Sequence, residues 1–407
     1  MAMRGSIEED IMFYNVDYEQ RTDWSKLRDY RIKRVVEQLK KKNMKAVILS
    51  KLDTIRYVTS FRGVYTWMFH GNRHVAIVTQ EGQVSFLVAS GDLQRVKNTM
   101  PWLTDVEPFP FVMTEGYNLV EKKLKELGIN NGRVGIDMMS FGIIRKLQHG
   151  FPDIDFVDGH SIVEDAQIIK CKEEIDCLRV TAQAVDMGMT TMLDNIREGV
   201  SEMELSAMAT NCIMNLGADD VPYYPLVVSG ENSWQGYRFP TERRLKRGDA
   251  VWMDCGACVI NGYNGDIART VIVGPASHEQ KIFYRAIYDM LHYAIAELKP
   301  GNSVQKPLEA AEAAARKHGM ADKTYFGILG HGIGTDLHIA PTIGDKAVGD
   351  GVDREVDTLE ENMVLALEPG IFLKGVGGGC MENMVLVTKD GPEVLTKTRF
   401  EDYLLVD

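Results

Sequence analysis

Five residues of metal-ligand type lie in the second half of this chain, each inside its own distinctive local sequence. They are Asp254 in MDCGA, Asp266 in NGDIART, His331 in GHGIG, Glu368 in ALEPG and Glu382 in MENMVLVT. Two Asp, one His and two Glu make a hard, oxygen-rich set with a single imidazole. Such a set suits a pair of divalent ions of the Mn, Fe, Co or Zn type, because carboxylates can bridge two ions. Clustered carboxylates repel one another unless cations neutralise them, so the set predicts metal rather than an empty acidic cleft. Asp254 and Asp266 flank the turn-forming segment Asn261-Gly-Tyr-Asn-Gly265, so a hairpin can bring both carboxylates to one point. Gly330 and Gly332 let the backbone turn tightly on either side of His331. A paired centre implies activated water and therefore catalysis.

The elements that must carry these residues are legible in the patterning. The chain has 407 residues, too many for one ordinary core, and two domains are expected. In the first part, Trp24 to Met44 reads as an amphipathic basic helix, with Leu27, Ile32, Val35, Val36 and Leu39 on one side. Short apolar runs follow at Ala46–Ser50, Val75–Thr79, Val84–Ala89 and Val134–Asp137. Helical stretches near Tyr117–Leu127 and Phe141–His149 separate some of them. This is an α/β pattern with a mixed sheet. Ser161 to Lys170 reads as the junction, and a long helix begins at Lys172. Ser201 and Glu204 have the spacing of a capping box. Further helices are expected at Ile282–Leu298 and Val304–His318, alternating with the strands that bear the candidate ligands.

Bulk properties exclude several function classes. The net charge of -12 argues against nonspecific nucleic-acid binding. The longest apolar runs are far too short to span a bilayer. The opening MAMRGSIEED carries no apolar secretion core, and the six cysteines are sparse for a disulfide scaffold, so a cytoplasmic setting with reduced thiols is expected. Cys255-Gly-Ala-Cys258 matches CxxC formally. A zinc ribbon needs a second pair and a redox site needs a helix start, whereas the flanking VWMD and VING read as strand and turn.

In their order and contexts the five fragments resemble the pita-bread family of methionine aminopeptidases, Xaa-Pro aminopeptidases, prolidases and creatinases. The resemblance is dense over 166–407, and 1–165 is similar to the N-terminal domain of the creatinase and prolidase branch. It implies a two-domain α/β architecture, with a creatinase-like N-terminal domain and a pita-bread α+β catalytic domain. It implies that Asp254, Asp266, His331, Glu368 and Glu382 hold two divalent metals. It makes His338, seven residues after His331, a pocket residue that contacts substrate as hydrogen-bond donor or proton shuttle. It also implies a homodimer acting on a small molecule.

Several positions depart from the family pattern. The two Asp are twelve residues apart, one more than in most of the peptidases. Ile339 stands where the peptidases often have Glu in HExP, and Cys380 where they tend to have a basic residue. The place of a family histidine ahead of Pro240-Thr-Glu-Arg243 falls to Tyr237, which can donate a hydrogen bond but shuttles protons poorly at neutral pH. The spacing, the segment Asn232-Ser-Trp-Gln-Gly-Tyr237 and the stretch Asp53–Tyr57 followed by Trp67, His70 and Arg73 also resemble metal-dependent lyases that cleave dimethylsulfoniopropionate. Those lyases carry an extra Asp where this chain has Gly256, and they lack the His338-Ile-Ala-Pro341 sequence.

The loop Tyr65–His74 either packs its own domain or serves as a lid, with Trp67 boxing a cationic or apolar group and Arg73 holding a carboxylate. His70 and Trp234 are further candidates for substrate contact, and the Tyr223-Tyr224 pair either joins an aromatic wall or belongs to the core. The run Arg243–Arg247 reads as a solvated basic turn. The expected function is a metal-dependent hydrolase opening a C–N bond of a small substrate such as an Xaa-Pro dipeptide. The alternatives are elimination from dimethylsulfoniopropionate, with a metal or tyrosine base, and a non-catalytic binding protein of the same fold. Retention of all five ligand candidates favours an enzyme.

Overall fold

Four-residue apolar runs such as AVIL at 46–49 suit strands buried on both faces, and this one lies inside a mixed sheet. A computed structural model describes residues 22–63, 73–110, 113–325, 328–344 and 356–400. The chain forms two compact units, Met1–Gln167 and Ile168–Asp407.

In the first unit, β1 (Ala46–Leu49), β2 (Val75–Thr79), β3 (Val84–Ala89), β4 (Asp105–Phe109), β5 (Gly132–Ile136) and β6 (Ile154–Asp158) form one sheet in the order β4-β3-β2-β1-β5-β6. β1 pairs antiparallel with β2 and parallel with β5. Alternation sends Val47, Leu49, Ala76 and Val78 into one apolar cluster and Ala46, Ile48, Val75 and Ile77 into another. The helix Trp24–Lys41 is capped by Asp23, whose carboxylate accepts from the Lys26 amide at 3.0 Å. The division between the two units falls within the expected junction Ser161–Lys170, whose first part is helical. His160–Gln167 is a helix of the first unit, because Ile162, Val163 and Ala166 are all fully buried in its core.

In the second unit, β7 (Leu226–Ser229), β8 (Ala250–Cys258) and β9 (Asn264–Ile272) make a three-stranded sheet. Two further sheets follow. β10 (Thr324–Tyr325), β14 (Gly370–Leu373) and β15 (Gly377–Cys380) form one. β11 (Ile328–Gly332), β12 (Ile339–Gly344), β13 (Val364–Leu367), β16 (Asn383–Thr388) and β17 (Gly391–Val394) form the other, in the order β12-β11-β13-β16-β17. The helix Lys172–Asn195 and the helix Glu202–Asn215, which starts on the expected Ser201–Glu204 capping box, cover one face of β8 and β9. They meet Val251, Met253, Cys255, Ile267 and Val271 there. The helices His278–Ala296 and Lys306–Lys317 share a second core with Leu365, Leu367, Val385 and Val387. Cys255 and Cys258 are free thiols within β8, so the CxxC match is a strand, as its flanks suggest.

Trp67 and His70, the substrate-contact candidates of the Tyr65–His74 loop, lie outside the described residues. His74 is within them and belongs to the core. It is buried against Phe61, and its Nδ1 accepts from the Ala89 amide at 3.1 Å. Burial pushes this imidazole down to about 4; Asp92 opposes that by a smaller amount and Arg95 adds to it. The unfolded chain takes up this proton near 6.5 and the folded chain only near 4. The stability it contributes is therefore complete above 6.5 and is lost as pH falls through 4. We expect the loss of melting temperature between pH 7 and pH 4.5, read by calorimetry, to be smaller in His74→Asn than in the parent. An equal loss in both would show that His74 does not carry this dependence.

Candidate metal centre

The hairpin places the first two acids by register. Asp266 lies opposite Gly256 and Asp254 opposite Ala268, so Asp254, Gly256, Asp266 and Ala268 share the face of β8–β9 that points away from the covering helices. The loop between the strands turns through Asn261 and Gly262, both at positive φ (53° and 83°). The amide of Glu382 donates to the Ala268 carbonyl at 2.9 Å, which seats Glu382 beside Asp266. The fully buried Arg269 donates to the carbonyl of Glu382 at 2.6 Å, to Asn383 Oδ1 at 3.0 Å and to the Thr398 carbonyl at 2.6 Å. Its charge is spent on holding the backbone, and burial lowers its pKa to about 10. Arg269 was not singled out in the sequence, although it lies inside the NGDIART motif.

His331 on β11 pairs with Ala366 of β13, and Glu368 follows β13 directly, its amide donating to Leu329. The His331 Nδ1 lies 3.0 Å from the Gly332 carbonyl, a contact that suits the Nδ1–H tautomer and leaves Nε2 with its lone pair free. That Nε2 is buried without a partner, 3.9 Å from Asp266 Oδ2 and 3.6 Å from Glu368 Oε1. Glu382 Oε1 is likewise buried and unpartnered. Ligand atoms of Asp254, Asp266 and Glu382 lie within 4.8 Å of one another, as do those of Asp266, His331 and His338.

Burial raises all four carboxyl groups, Asp254 to about 6 and Glu368 to about 8, with Asp266 and Glu382 well above the usual range. Mutual repulsion among them adds to the rise in Asp266, Glu368 and Glu382. None of the described lysines or arginines forms an ion pair with them. Orphaned donor atoms aimed into an acidic, cation-poor space fit a divalent metal pair, and Cys380 beside them keeps its thiol proton, donating to the Glu368 carbonyl.

The non-ligand candidates divide. Tyr237 donates to Glu368 Oε2 at 3.1 Å and sets its ring edge-on to Trp252, centroids 5.0 Å apart. Although the ring is largely exposed, the hydroxyl faces the buried acids. Its desolvation there, and then their proximity, hold the phenol proton on and make the group a hydrogen-bond donor to Glu368. His338 is exposed and stacks on His331 at 3.7 Å. Both line a pocket of about 180 Å³ with Ile328, Gly370, Phe372, Cys380 and Glu368. Trp234 is not part of that lining. It sits on the short turn Gly230–Gln235, with Lys374 Nζ 5.6 Å from its ring. Arg73 belongs to the first unit and is half-buried.

The segment 240–243 is an anchor for the Tyr237 loop. Fully buried Glu202 accepts from the amides and hydroxyls of Ser229 and Thr241, at 2.6 to 3.0 Å. Arg243 bridges Ser229 and Asp249, so it departs from the solvated turn expected of the basic run. Tyr223 belongs to the site itself. Its hydroxyl lies 2.6 Å from Asp254 Oδ1 and 2.5 Å from Asp266 Oδ1, whereas Tyr224 is exposed. A side chain at position 256 would meet the Tyr223 ring at 2.8 Å, which closes the place where the lyase pattern puts its extra Asp.

Residues 176–389 match the metallopeptidase family M24, and residues 31–169 match the creatinase/prolidase N-terminal domain. The chain is 26% identical over 372 residues to an Xaa-Pro dipeptidase of Pyrococcus horikoshii, covering 91% of this chain and 98% of that protein. It is 26% identical over 386 residues to a creatinase of a Bacillus species, covering 90% of each. Among solved structures, an Xaa-Pro dipeptidase from Bacillus anthracis superposes with a TM-score of 0.79 at 25% identity, covering 93% of this chain and all of that one.

The acidic cluster makes a specific stability prediction. In metal-stripped protein at pH 8, Glu382→Gln removes one of four crowded carboxyl groups that burial makes costly either to ionise or to hold protonated. We expect its melting temperature to exceed that of the stripped parent, by about 2–4 °C per kcal/mol relieved, while divalent ions no longer stabilise it. A lower melting temperature for the stripped variant would contradict the electrostatic account.

Proposed function

The chain belongs to metallopeptidase family M24, and from that premise we propose that this metal-dependent hydrolase cleaves the C–N bond of Xaa-Pro dipeptides at a centre of two divalent ions of the Mn, Fe, Co or Zn type. One observation carries the reading: the buried, unpartnered His331 Nε2 and Glu382 Oε1 face a cluster of carboxylates that no described protein cation neutralises. Asp254, Asp266, His331, Glu368 and Glu382 would hold the ions, which supply activated water and polarise the scissile carbonyl. Tyr237 fixes the orientation of Glu368 through its hydroxyl. His338, exposed at the pocket edge, donates a hydrogen bond to the substrate and a proton to the departing nitrogen. Ile328 and Phe372 give a proline ring an apolar wall and exclude water from it. A homodimer in the cytoplasm is the setting this reading expects.

Xaa-Pro dipeptides, creatine and dimethylsulfoniopropionate assayed in parallel with added Mn(II) test the proposal, the expected outcome being release of free proline and the amino acid Xaa from the dipeptides, with the other two compounds unchanged. Release of acrylate and dimethyl sulfide, or of a creatine product only, would overturn it. Asp266→Ala should abolish turnover in a folded protein. His338→Ala should lower kcat by about 10²–10⁴-fold with metal content unchanged, and an unaltered kcat would remove His338 from the mechanism.

A further inference from the structure

We infer that Tyr223 is a positioning residue of the metal centre: its hydroxyl sets the spacing of the Asp254 and Asp266 carboxylates, and Gly256 exists to admit its ring. The inference rests on the metal-centre reading above and adds a residue outside the five ligand candidates. The phenolic oxygen sits between Asp254 Oδ1 and Asp266 Oδ1, at 2.6 and 2.5 Å. The hydroxyl donates its single proton to one of these oxygens and stands in close contact with the other, on strands whose register alone leaves the two acids on a diagonal.

The ring is held as firmly as the hydroxyl. Gly256 lies directly opposite Asp266 and on the same face as Asp254. A Cβ built there would stand 2.8 Å from Tyr223 Cε1, 3.1 Å from Cζ and 2.9 Å from Pro222 Cγ. Real side chains do not approach that closely, so the ring occupies the volume that a residue at 256 would otherwise fill. Gly256 has no positive φ and makes no turn, being the seventh residue of a nine-residue strand. Glycine weakens a strand interior, and a close approach by another group is the physical reason to keep it. Tyr223 is that group. A phenol has one proton, so it donates to one carboxylate and leaves lone pairs of the other for a cation. Hydrogen-bond partners of metal ligands act in this way by orienting the ligand, and losing one costs about 10–100-fold in metal affinity.

The test is calorimetric titration of metal-stripped full-length protein with Mn(II). Tyr223→Phe keeps the ring and removes the hydroxyl, and we expect at least a tenfold loss of affinity for one ion. Gly256→Ala displaces the ring and should give a similar loss. In the double variant the two losses should not add, because both act through the same hydroxyl. Tyr224→Phe, at the exposed neighbour, should bind as the parent does. A merely structural role for Tyr223 would lower the melting temperature and leave ion affinity unchanged. Parental affinity in Tyr223→Phe, or additive losses in the double variant, would overturn the inference. Failure of the parent itself to bind Mn(II) would instead sink the metal-centre reading.

Discussion

Four carboxylates brought together out of water are the constraint on which the second unit depends. Such a cluster is unfavourable in proportion to how well it is buried, and here burial is nearly complete. The fold does not relieve it with its own cations. Arg269, the buried guanidinium whose charge acts on Glu382, is turned to main-chain carbonyls and to Asn383. Relief is left to ions from solution, and the surrounding framework holds the acids in place until they arrive. The β8–β9 hairpin, the Glu382 amide on Ala268 and the Glu368 amide on Leu329 are each backbone bonds that fix an acid from behind. Two helix pairs cover the outer faces, so the side chains facing inward are free to be polar.

That arrangement explains what the chain can do and where its selectivity lies. On the proposed reading the ligand candidates serve water activation, and the groups around them select the substrate. Tyr237 restrains Glu368, His338 stands at the pocket edge, and Ile328 with Phe372 forms the apolar wall. Glu202, Thr241 and Arg243 hold the loop that carries Tyr237, which gives the 240–243 segment a mechanical purpose.

Four of the five ligand candidates were legible from local context: glycines beside His331, a turn between the two Asp, and Pro-Gly after Glu368. Four of the six strands of the first sheet were legible as apolar runs bounded by turns, with bounds shifted by at most two residues; β4 and β6, whose burial is broken by exposed residues, were not. The helix within the junction segment was not read either, because the apolar residues of 160–167 are too few for their helical period to stand out. Tyr223 was legible only as one of a pair that either joins an aromatic wall or belongs to the core, not as a partner of Asp254 and Asp266. It arrives from a segment with no regular period, and its place follows from the pairing of Gly256 with Asp266 across a hairpin. Arg269 was hidden for a similar reason, since its partners Thr398 and Arg399 lie about 130 residues away in sequence. Trp234, also named from the sequence, sits against Lys374 on the turn before Tyr237.

The most direct test of a paired-metal centre is anomalous X-ray scattering at the manganese edge from crystals of the protein grown with Mn(II). The account predicts two peaks about 3.5–4 Å apart, with Asp266 and Glu382 between them and His331 bound to one. A single peak away from these residues, or none in well-ordered crystals, would contradict it.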